Sequence, residues 1–201
     1  MTKKLMLSVF LTMVVGLAGC SAQPNETNES TTASQETKQT KDHQSNSEAS
    51  GDPNVKVSVE EAIGAYQETY PDSDITSIEL DTSFGTYLYK IEGVGDKREY
   101  ELHVDAETKK VSKEHEETLD RDEQEGVKRN EDKVDVTNLL SIKKVSEIAA
   151  DHVGKGKAAE WTLEQELGTT YWEVKVVDGQ TETEVKVDAH SGKILETESG
   201  D

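Results

Sequence analysis

The chain contains one cysteine, Cys20, and so has one thiol that could be acylated or oxidised. It follows two lysines, Lys3 and Lys4, and the uncharged apolar run 5–17. This order is typical of a secretory signal peptide, and the run is shorter than the roughly 20 apolar residues that a membrane-spanning helix needs. An exported protein with an unpaired thiol is open to oxidation unless the thiol is blocked. We therefore expect residues 1–19 to be a signal peptide and the thiol of Cys20 to be modified.

Residues 17–20 read Leu-Ala-Gly-Cys, which resembles the lipobox of bacterial lipoproteins. The resemblance implies that a diacylglyceryl group is transferred to the Cys20 thiol and that the chain is cut just before it. Acyl chains such as palmitate would then hold the protein on the extracellular face of the cell membrane. The alternative is an ordinary cleaved signal whose cysteine is incidental. Residues 20–54 carry almost no aliphatic side chains, which predicts a disordered tether behind the lipidated cysteine.

The acidic composition excludes one class of partner. The formal net charge is −20 at pH 7, so the chain lacks the basic surface that a nucleic-acid-binding protein needs. Anionic lipid head groups would also repel the folded part, so membrane attachment is expected to come from the acyl chains alone.

One acidic segment has the spacing of a possible metal site. In Asp120–Glu131, Glu131 falls at the twelfth place of an EF-hand register, but the sixth place, which needs glycine, holds Glu125, and Gly126 comes one residue later. The histidines form no zinc motif. We interpret residues 117–136 as an acidic linker whose aliphatic side chains are too sparse to form an apolar face. We expect no metal and no cofactor, with weak calcium attraction by charge left open.

An internal repeat organises the rest of the chain. Adding 83 to a residue number carries 57–118 onto 140–201 without a gap, and nearly all identical positions lie between 80 and 110. Random pairing would scatter the identities, so this pattern indicates a duplication. We place the two repeats at 55–116 and 137–201.

Each repeat begins with the pattern of an amphipathic helix. Ser58 and Ser141 are candidate N-caps ahead of apolar stripes, and Pro71 and Gly154 are candidate stop signals. Strands of alternating polarity follow each helix. The sequence predicts an α+β fold of two repeated units, each a helix packed on one face of an antiparallel sheet of about four strands.

Two hairpin turns set the predicted strand register. Asp178-Gly179 is a favoured central dipeptide of a two-residue turn, which would place Trp172 opposite Val185. The first repeat is built in the same way around Gly95-Asp96. Because the repeats are domain-sized, we expect proteolysis in the linker to leave two resistant fragments.

The end of each repeat carries a resemblance to a known family. Residues 187–194 read Val-Asp-Ala-His-Ser-Gly-Lys-Ile, and 104–111 read Val-Asp-Ala-Glu-Thr-Lys-Lys-Val. With strands near Tyr87 and Tyr171 and a Gly-containing turn, these endings resemble the PepSY domain, although Lys109 stands where the pattern has glycine. The resemblance implies a binding or inhibitory module that acts on peptidases or other wall-associated proteins, and not a catalyst.

Both repeats share an aspartate, Asp105 and Asp188, which could be read as a catalytic acid. We interpret each one as the side chain of an Asx-type turn that ends a strand. A duplicated catalytic site would keep its polar groups in both copies, yet Lys90 corresponds to Glu173. We therefore expect a protein that is not an enzyme.

The candidate contacts for a partner are Tyr87, Leu88 and Tyr171, which lie near strand ends or on the polar strand face. The favoured hypothesis is a membrane-anchored extracellular module that binds envelope or secreted proteins. The alternative is an inhibitor or chaperone-like regulator of an exported metallopeptidase.

Overall fold

The computed structural model describes residues 55–83 and 85–200, which all fall in the unit 43–201. The predicted signal peptide, Cys20 and the predicted tether lie outside the described residues. No helix within the described ranges is long and apolar enough to cross a membrane. The elements, in chain order, are α1 (Val59–Thr69), β1 (Asp74–Ser83), β2 (Thr86–Val94), β3 (Arg98–Asp105), β4 (Val111–Thr118), α2 (Val127–Asp132), α3 (Ile142–Val153), β5 (Lys157–Glu166), β6 (Thr169–Asp178), β7 (Thr181–Asp188) and β8 (Ile194–Ser199).

The two long helices begin at the predicted serines. The Ser58 hydroxyl accepts a hydrogen bond from the backbone N–H of Glu61, whose side chain accepts one from the N–H of Ser58, and this completes a capping box. Ser141 likewise accepts from the backbone N–H of Lys144. Gly154 ends α3 with a φ of +79°, a conformation that glycine adopts without steric cost. Both predicted helix starts are therefore confirmed.

The eight strands form one antiparallel sheet in the order β4-β3-β2-β1-β5-β6-β7-β8. Each repeat contributes four consecutive strands and one long helix, with α1 on β2 and β3 and α3 on β5, β6 and β7. Alternate side chains are buried beneath the helices, as an antiparallel sheet covered on one face requires. The predicted fold class of repeated helix-and-sheet units is confirmed.

The hairpin register differs from the prediction by one residue at the turn. In the second repeat the turn is Gly179-Gln180, so Trp172 lies opposite Val187 and not Val185. A positive φ at Gly179 alone fits the turn type that needs glycine only at its first central position. The first hairpin is displaced by the same amount. Since the partner changes by two residues, every side chain keeps its predicted face.

The two repeats join through β1 and β5 in a self-complementary way. Three pairs connect these strands: Ile78 with Leu163, Glu79 with Thr162, and Leu80 with Trp161. By the offset of 83, Ile78 is equivalent to Trp161 and Leu80 to Leu163, so the outer two pairs are the same contact seen from either side. This is the geometry of a twofold homodimer interface built into one chain. We call this junction the seam, and its local twofold axis passes through the Glu79–Thr162 pair.

The repeats share one hydrophobic core. Its largest fully buried side chains come from both halves and from the seam: Trp161, Trp172, Tyr66, Tyr89, Ile78 and Leu80. This differs from the two separately folded fragments expected from the sequence. The repeat offset identified equivalent strands, but it carried no information on whether the free edges of β1 and β5 would pair.

The segment 117–136 is more structured than the sequence suggested. Leu119 and Val134 are only 5% and 7% exposed. Their backbone N–H groups donate to the carbonyls of Lys97 and Ile75 at 3.0 and 2.9 Å. Leu119 and Val134 are buried against different parts of the domain. Their spacing in the sequence therefore shows no periodic apolar face. The acidic linker is therefore buried against the domain at these two positions, which the sparse aliphatic residues did not predict.

Candidate functional site

The sheet face opposite α1 and α3 is rich in carboxylates. A row of side chains crosses its centre: His103, Lys90, Glu79, Thr162, Glu173 and Lys186. Lys90 Nζ lies 3.3 Å from Glu79 Oε1 and 3.1 Å from Asp81 Oδ2, and Lys186 Nζ lies 2.7 Å from Glu196 Oε2. These lysines are paired with carboxylates, so the face remains acidic and would attract basic surfaces.

Two half-buried glutamates lie near the centre of this face. Burial raises the pKa of the Glu173 carboxyl, and the nearby carboxylates of Glu184 and Glu164 raise it further. Burial also raises the pKa of Glu79, against the lowering effect of the Lys90 ammonium. Lys90 and Glu173 are equivalent positions, so a cation in one half is replaced by an anion in the other. This central position therefore cannot supply a ligand that both copies share.

Leu88 and Tyr171 occupy equivalent positions on this acidic face. Leu88 is half-buried, but Tyr171 is only 6% exposed. The Lys186 ammonium lies 5.5 Å from the centre of the Tyr171 ring, and the Tyr171 hydroxyl donates to Glu164 at 3.3 Å. Neighbouring side chains on the sheet therefore cover most of the Tyr171 ring, and its role as a partner contact stays a prediction.

Tyr87 lies on the helix side of the sheet, half-buried at the start of β2. Its ring centre is 6.2 Å from that of Trp161, on the seam. It lines a groove of about 620 Å³, a size suited to a small ligand or a few residues of peptide. The groove is completed by the start of β5, at Lys157 and Ala158, and by Val177 at the end of β6. Of the predicted contacts, Tyr87 thus lines a concave surface.

The shared aspartates form matching turns. Asp105 Oδ1 accepts hydrogen bonds from the backbone N–H groups of Glu107 and Thr108 at 3.1 and 2.7 Å. Asp188 Oδ1 accepts in the same way from the backbone of His190 and Ser191. The backbone N–H of Thr108 is the largest of the effects that lower the pKa of Asp105, and the equivalent bond from Ser191 lowers that of Asp188. The interpretation as Asx-type turns is confirmed.

The first of these turns contains backbone strain that the second avoids. Lys109 has a φ of +61°, whereas its equivalent, Gly192, has a φ of +75°. A non-glycine residue in this region costs about 1 kcal/mol or more. We expect Lys109→Gly to raise the free energy of unfolding by about 0.5–1 kcal/mol in a urea titration. A decrease would mean that the contact between Lys109 and Glu61, 3.5 Å apart, outweighs the strain.

The reciprocal change, Gly192→Ala, is the matched control. A Cβ at Gly192 would lie 2.8 Å from Ile148 Cδ1 and 3.3 Å from Leu140 Cδ1. The equivalent residues in the first repeat are the smaller Ala65 and Val57, which leave room for a side chain at this position. We expect this variant to lose about 1–2 kcal/mol, through left-handed strain and crowding together.

The acidic segment with the EF-hand spacing folds as turns followed by a short helix. Gly126 has a φ of +82° and immediately precedes α2. This left-handed residue therefore lies at the start of a helix. The Gln124 amide donates to the carbonyl of Leu119 at 2.8 Å. Within the described ranges no three side chains of the metal-binding types converge.

Residues 56–115 and 139–198 each match the family described as peptidase propeptide and YPEB domain, PepSY. The two matches cover more than half of the chain and correspond to the two halves of the sheet. The chain belongs to the PepSY family.

This tandem PepSY chain also has a similar solved structure. A candidate lipoprotein of Clostridium difficile 630 shares 30% sequence identity with it, with a TM-score of 0.69. The match covers 73% of this chain and 95% of the other chain. A search of the curated proteins found no significant match.

Sequence reasoning identified Tyr87 in this PepSY protein but missed the rest of the groove. Lys157 and Ala158 belong to β5, where nothing in the local pattern marks a binding residue. They come close to Tyr87 only because the seam places β5 next to β1, whose other neighbour is β2. A sequence argument could have found them only by assuming that the two repeats pair edge to edge.

Proposed function

We propose that this chain is a lipid-anchored tandem PepSY module that binds envelope or secreted proteins on the extracellular face of the membrane and performs no catalysis itself. The observation that carries the proposal is the match of both repeats to a family defined by peptidase propeptides. The sequence Leu-Ala-Gly-Cys at 17–20 supports the anchor, as does the likeness to a candidate lipoprotein.

The distribution of polar residues supports a binding role. Asp105 and Asp188, the acids that both repeats place at the same turn, use their carboxylates to hold the backbone. A catalytic acid or base needs reach to a substrate and a partner that orients it. The acidic sheet face and the groove beside Tyr87 remain as surfaces for a partner protein.

The proposed anchor predicts the fate of one variant. Cys20→Ala removes the one thiol of the chain, so we expect the protein to leave the membrane fraction and appear in the medium, or to remain uncleaved. Detergent phase partitioning of cell fractions with immunoblotting measures both outcomes. Ser21→Ala is the matched control and should stay in the membrane fraction. Full retention of the Cys20→Ala protein with normal processing would reject the anchor.

A second candidate function is favoured by the family description. A domain shared with peptidase propeptides could inhibit an exported metallopeptidase or assist its folding. Cross-linking on intact cells followed by mass spectrometry would identify the partner. If that partner is a peptidase, addition of the purified chain should lower its turnover of a peptide substrate. Binding without any change in turnover would favour the scaffold function over the inhibitor.

A further inference from the structure

Because a local twofold axis passes through the seam, each surface of one repeat has an equivalent surface on the other repeat. The local twofold axis relates every residue of the first repeat to the residue numbered 83 higher, as the pairing of Ile78 with Leu163 and of Leu80 with Trp161 shows. If a segment that is not part of the repeats binds to one of them, the other repeat therefore has an equivalent site. The linker between the repeats is such a segment, and the chain has only one copy of it.

Three of the linker's contacts lie close together on one part of the sheet. The backbone N–H of Val134 donates to the carbonyl of Ile75 at 2.9 Å, and that of Asp135 donates to the Thr170 hydroxyl at 3.0 Å. Five residues before Val134, Arg129 Nε lies 2.8 Å from Asp74 Oδ2. The Val134 side chain is buried in this site.

The equivalents of Ile75, Asp74 and Thr170 line the groove. By the offset of 83, Ile75 corresponds to Ala158 and Asp74 corresponds to Lys157, while Thr170 corresponds to Tyr87. These three equivalents lie together in the depression of about 620 Å³ described above. The groove is therefore the twofold counterpart of the site that the linker occupies, and no described residue fills it.

The strand geometry leaves a backbone acceptor at this groove. The pairing of β1 with β5 covers only 78–80 and 161–163, so β5 has no described partner strand on that side at Ala158. The Ile75 carbonyl, which lies outside the pairing of β1 with β5, accepts a bond from the linker. By equivalence the Ala158 carbonyl faces the groove and can accept a bond from an extended peptide.

The chain's own N-terminal sequence is a poor occupant in this register. The residue that corresponds to Val134 is Gly51. Glycine has no side chain to fill the groove, whereas the Val134 side chain is buried in the linker's own site. The occupant that fits must supply an aliphatic side chain.

We propose that the groove binds a segment of a partner protein that has the backbone shape of the linker: a helical turn with an acidic residue, followed five positions later, beyond the helix, by a valine-like residue. The aliphatic side chain packs beside Tyr87 as Val134 packs in its own site, and its N–H donates to Ala158. The acidic residue faces the exposed Lys157, because that lysine replaces the aspartate that binds Arg129 in the other half. This inference rests on the proposed function in that the ligand is a segment of another protein.

A synthetic peptide can test the groove directly. The probe copies residues 127–137 with Arg129→Glu, and the protein is the chain from residue 21 onward. We expect saturable NMR shifts at Tyr87 and Ala158, and we expect the same peptide with Val134→Asp to cause none. Shifts confined to Ile75 and Thr170 would mean that the peptide only displaces the linker, and this would overturn the proposal. The absence of any shift would overturn it as well.

A charge exchange gives the matched control. The variant Lys157→Asp recreates the charge of Asp74, so it should prefer the unmodified Arg129 peptide over the Arg129→Glu peptide by about two- to fivefold, the reverse of the native preference. Equal affinities in all four combinations would reject the role of Lys157. Binding that appears only after residues 21–54 are removed would show that the chain's own N-terminal segment fills the groove, which overturns the proposal.

The cellular result separates this inference from the proposed function. If Lys157→Asp and native chains cross-link the same partner equally, the groove is rejected while the binding function stands. If no partner is cross-linked by either chain, the binding function fails whatever the peptide does in solution.

Discussion

Replacing Gly93 by valine should lower the free energy of unfolding by about 3 kcal/mol, a large part of the 5–15 kcal/mol typical of a folded domain. A Cβ at Gly93 would lie 2.0 Å from Tyr66 Oη and 2.6 Å from the carbonyl of Asp74. Tyr66 is fully buried, and its hydroxyl lies 2.9 Å from the hydroxyl of Ser73. The substitution must push the Tyr66 ring out of the core or displace β2, and urea titration measures the loss.

The second repeat contains the compensating arrangement. The positions equivalent to Tyr66 and Gly93 are Ala149 and Val176, both buried. In the first repeat the helix carries the large Tyr66 and the strand carries glycine. In the second repeat the helix carries the small Ala149 and the strand carries the larger Val176. The double variant Tyr66→Ala with Gly93→Val should therefore be more stable than Gly93→Val alone, since it copies a pair that already packs in this fold.

A second glycine provides the control for this experiment. A Cβ at Gly64, on α1, would meet no atom within 4 Å. Gly64→Ala should stabilise the protein by about 0.5–1 kcal/mol because alanine loses less backbone entropy in a helix. If Gly93→Val proved as mild as a surface substitution, the close approach of Tyr66 to β2 would be wrong.

The second large effect is that damage in one repeat should unfold the other. Both tryptophans, Trp161 and Trp172, lie in the second repeat, whereas Gly93 lies in the first. Unfolding of the first repeat alone would expose the apolar seam residues Leu80 and Trp161, which are now 0% and 2% exposed. Because that exposure costs about 25 cal/mol per Å² of apolar surface, we expect one cooperative transition.

The measurement uses Trp172 as the reporter of the second repeat. In a Trp161→Phe background, Gly93→Val should move the midpoint of Trp172 fluorescence as far as it moves the midpoint of circular dichroism. A fluorescence midpoint that stays in place while circular dichroism shows an early loss would mean that the repeats unfold separately. Limited proteolysis provides an independent check, since a joined sheet predicts one resistant fragment and independent repeats predict cleavage within 117–136.

Local features of this chain could be predicted from its sequence because local physics decides them. The capping serines Ser58 and Ser141 act within one helical turn, and the Asx-type turns at Asp105 and Asp188 are closed by residues two or three positions away. The alternation that buries Tyr89 and Trp172 follows from the period of a strand. For the same reason the resemblance to PepSY was visible in short runs of residues.

The hairpin register was harder to predict from the sequence because two overlapping dipeptides can each form the turn. Asp178-Gly179 and Gly179-Gln180 both satisfy a two-residue turn, and only the packing of the flanking strands selects between them. The error moved each partner by two residues and left every face unchanged, so the core was correct although the pairs were not. Tyr171 shows the same limit, since its face was predicted correctly while its burial depends on Lys186 from the neighbouring strand.

By itself, the sequence determined the duplication, the helix-and-sheet unit, the acidic character and the candidate lipid attachment at Cys20. Only the tertiary structure decided that the two units form one sheet, because edge pairing of β1 with β5 depends on shape and burial over a long sequence separation. The groove at Tyr87, Lys157 and Ala158 follows from that junction and has no counterpart in any local pattern. A repeated sequence predicts two equivalent sites, but a single linker between the repeats can fill only one of them.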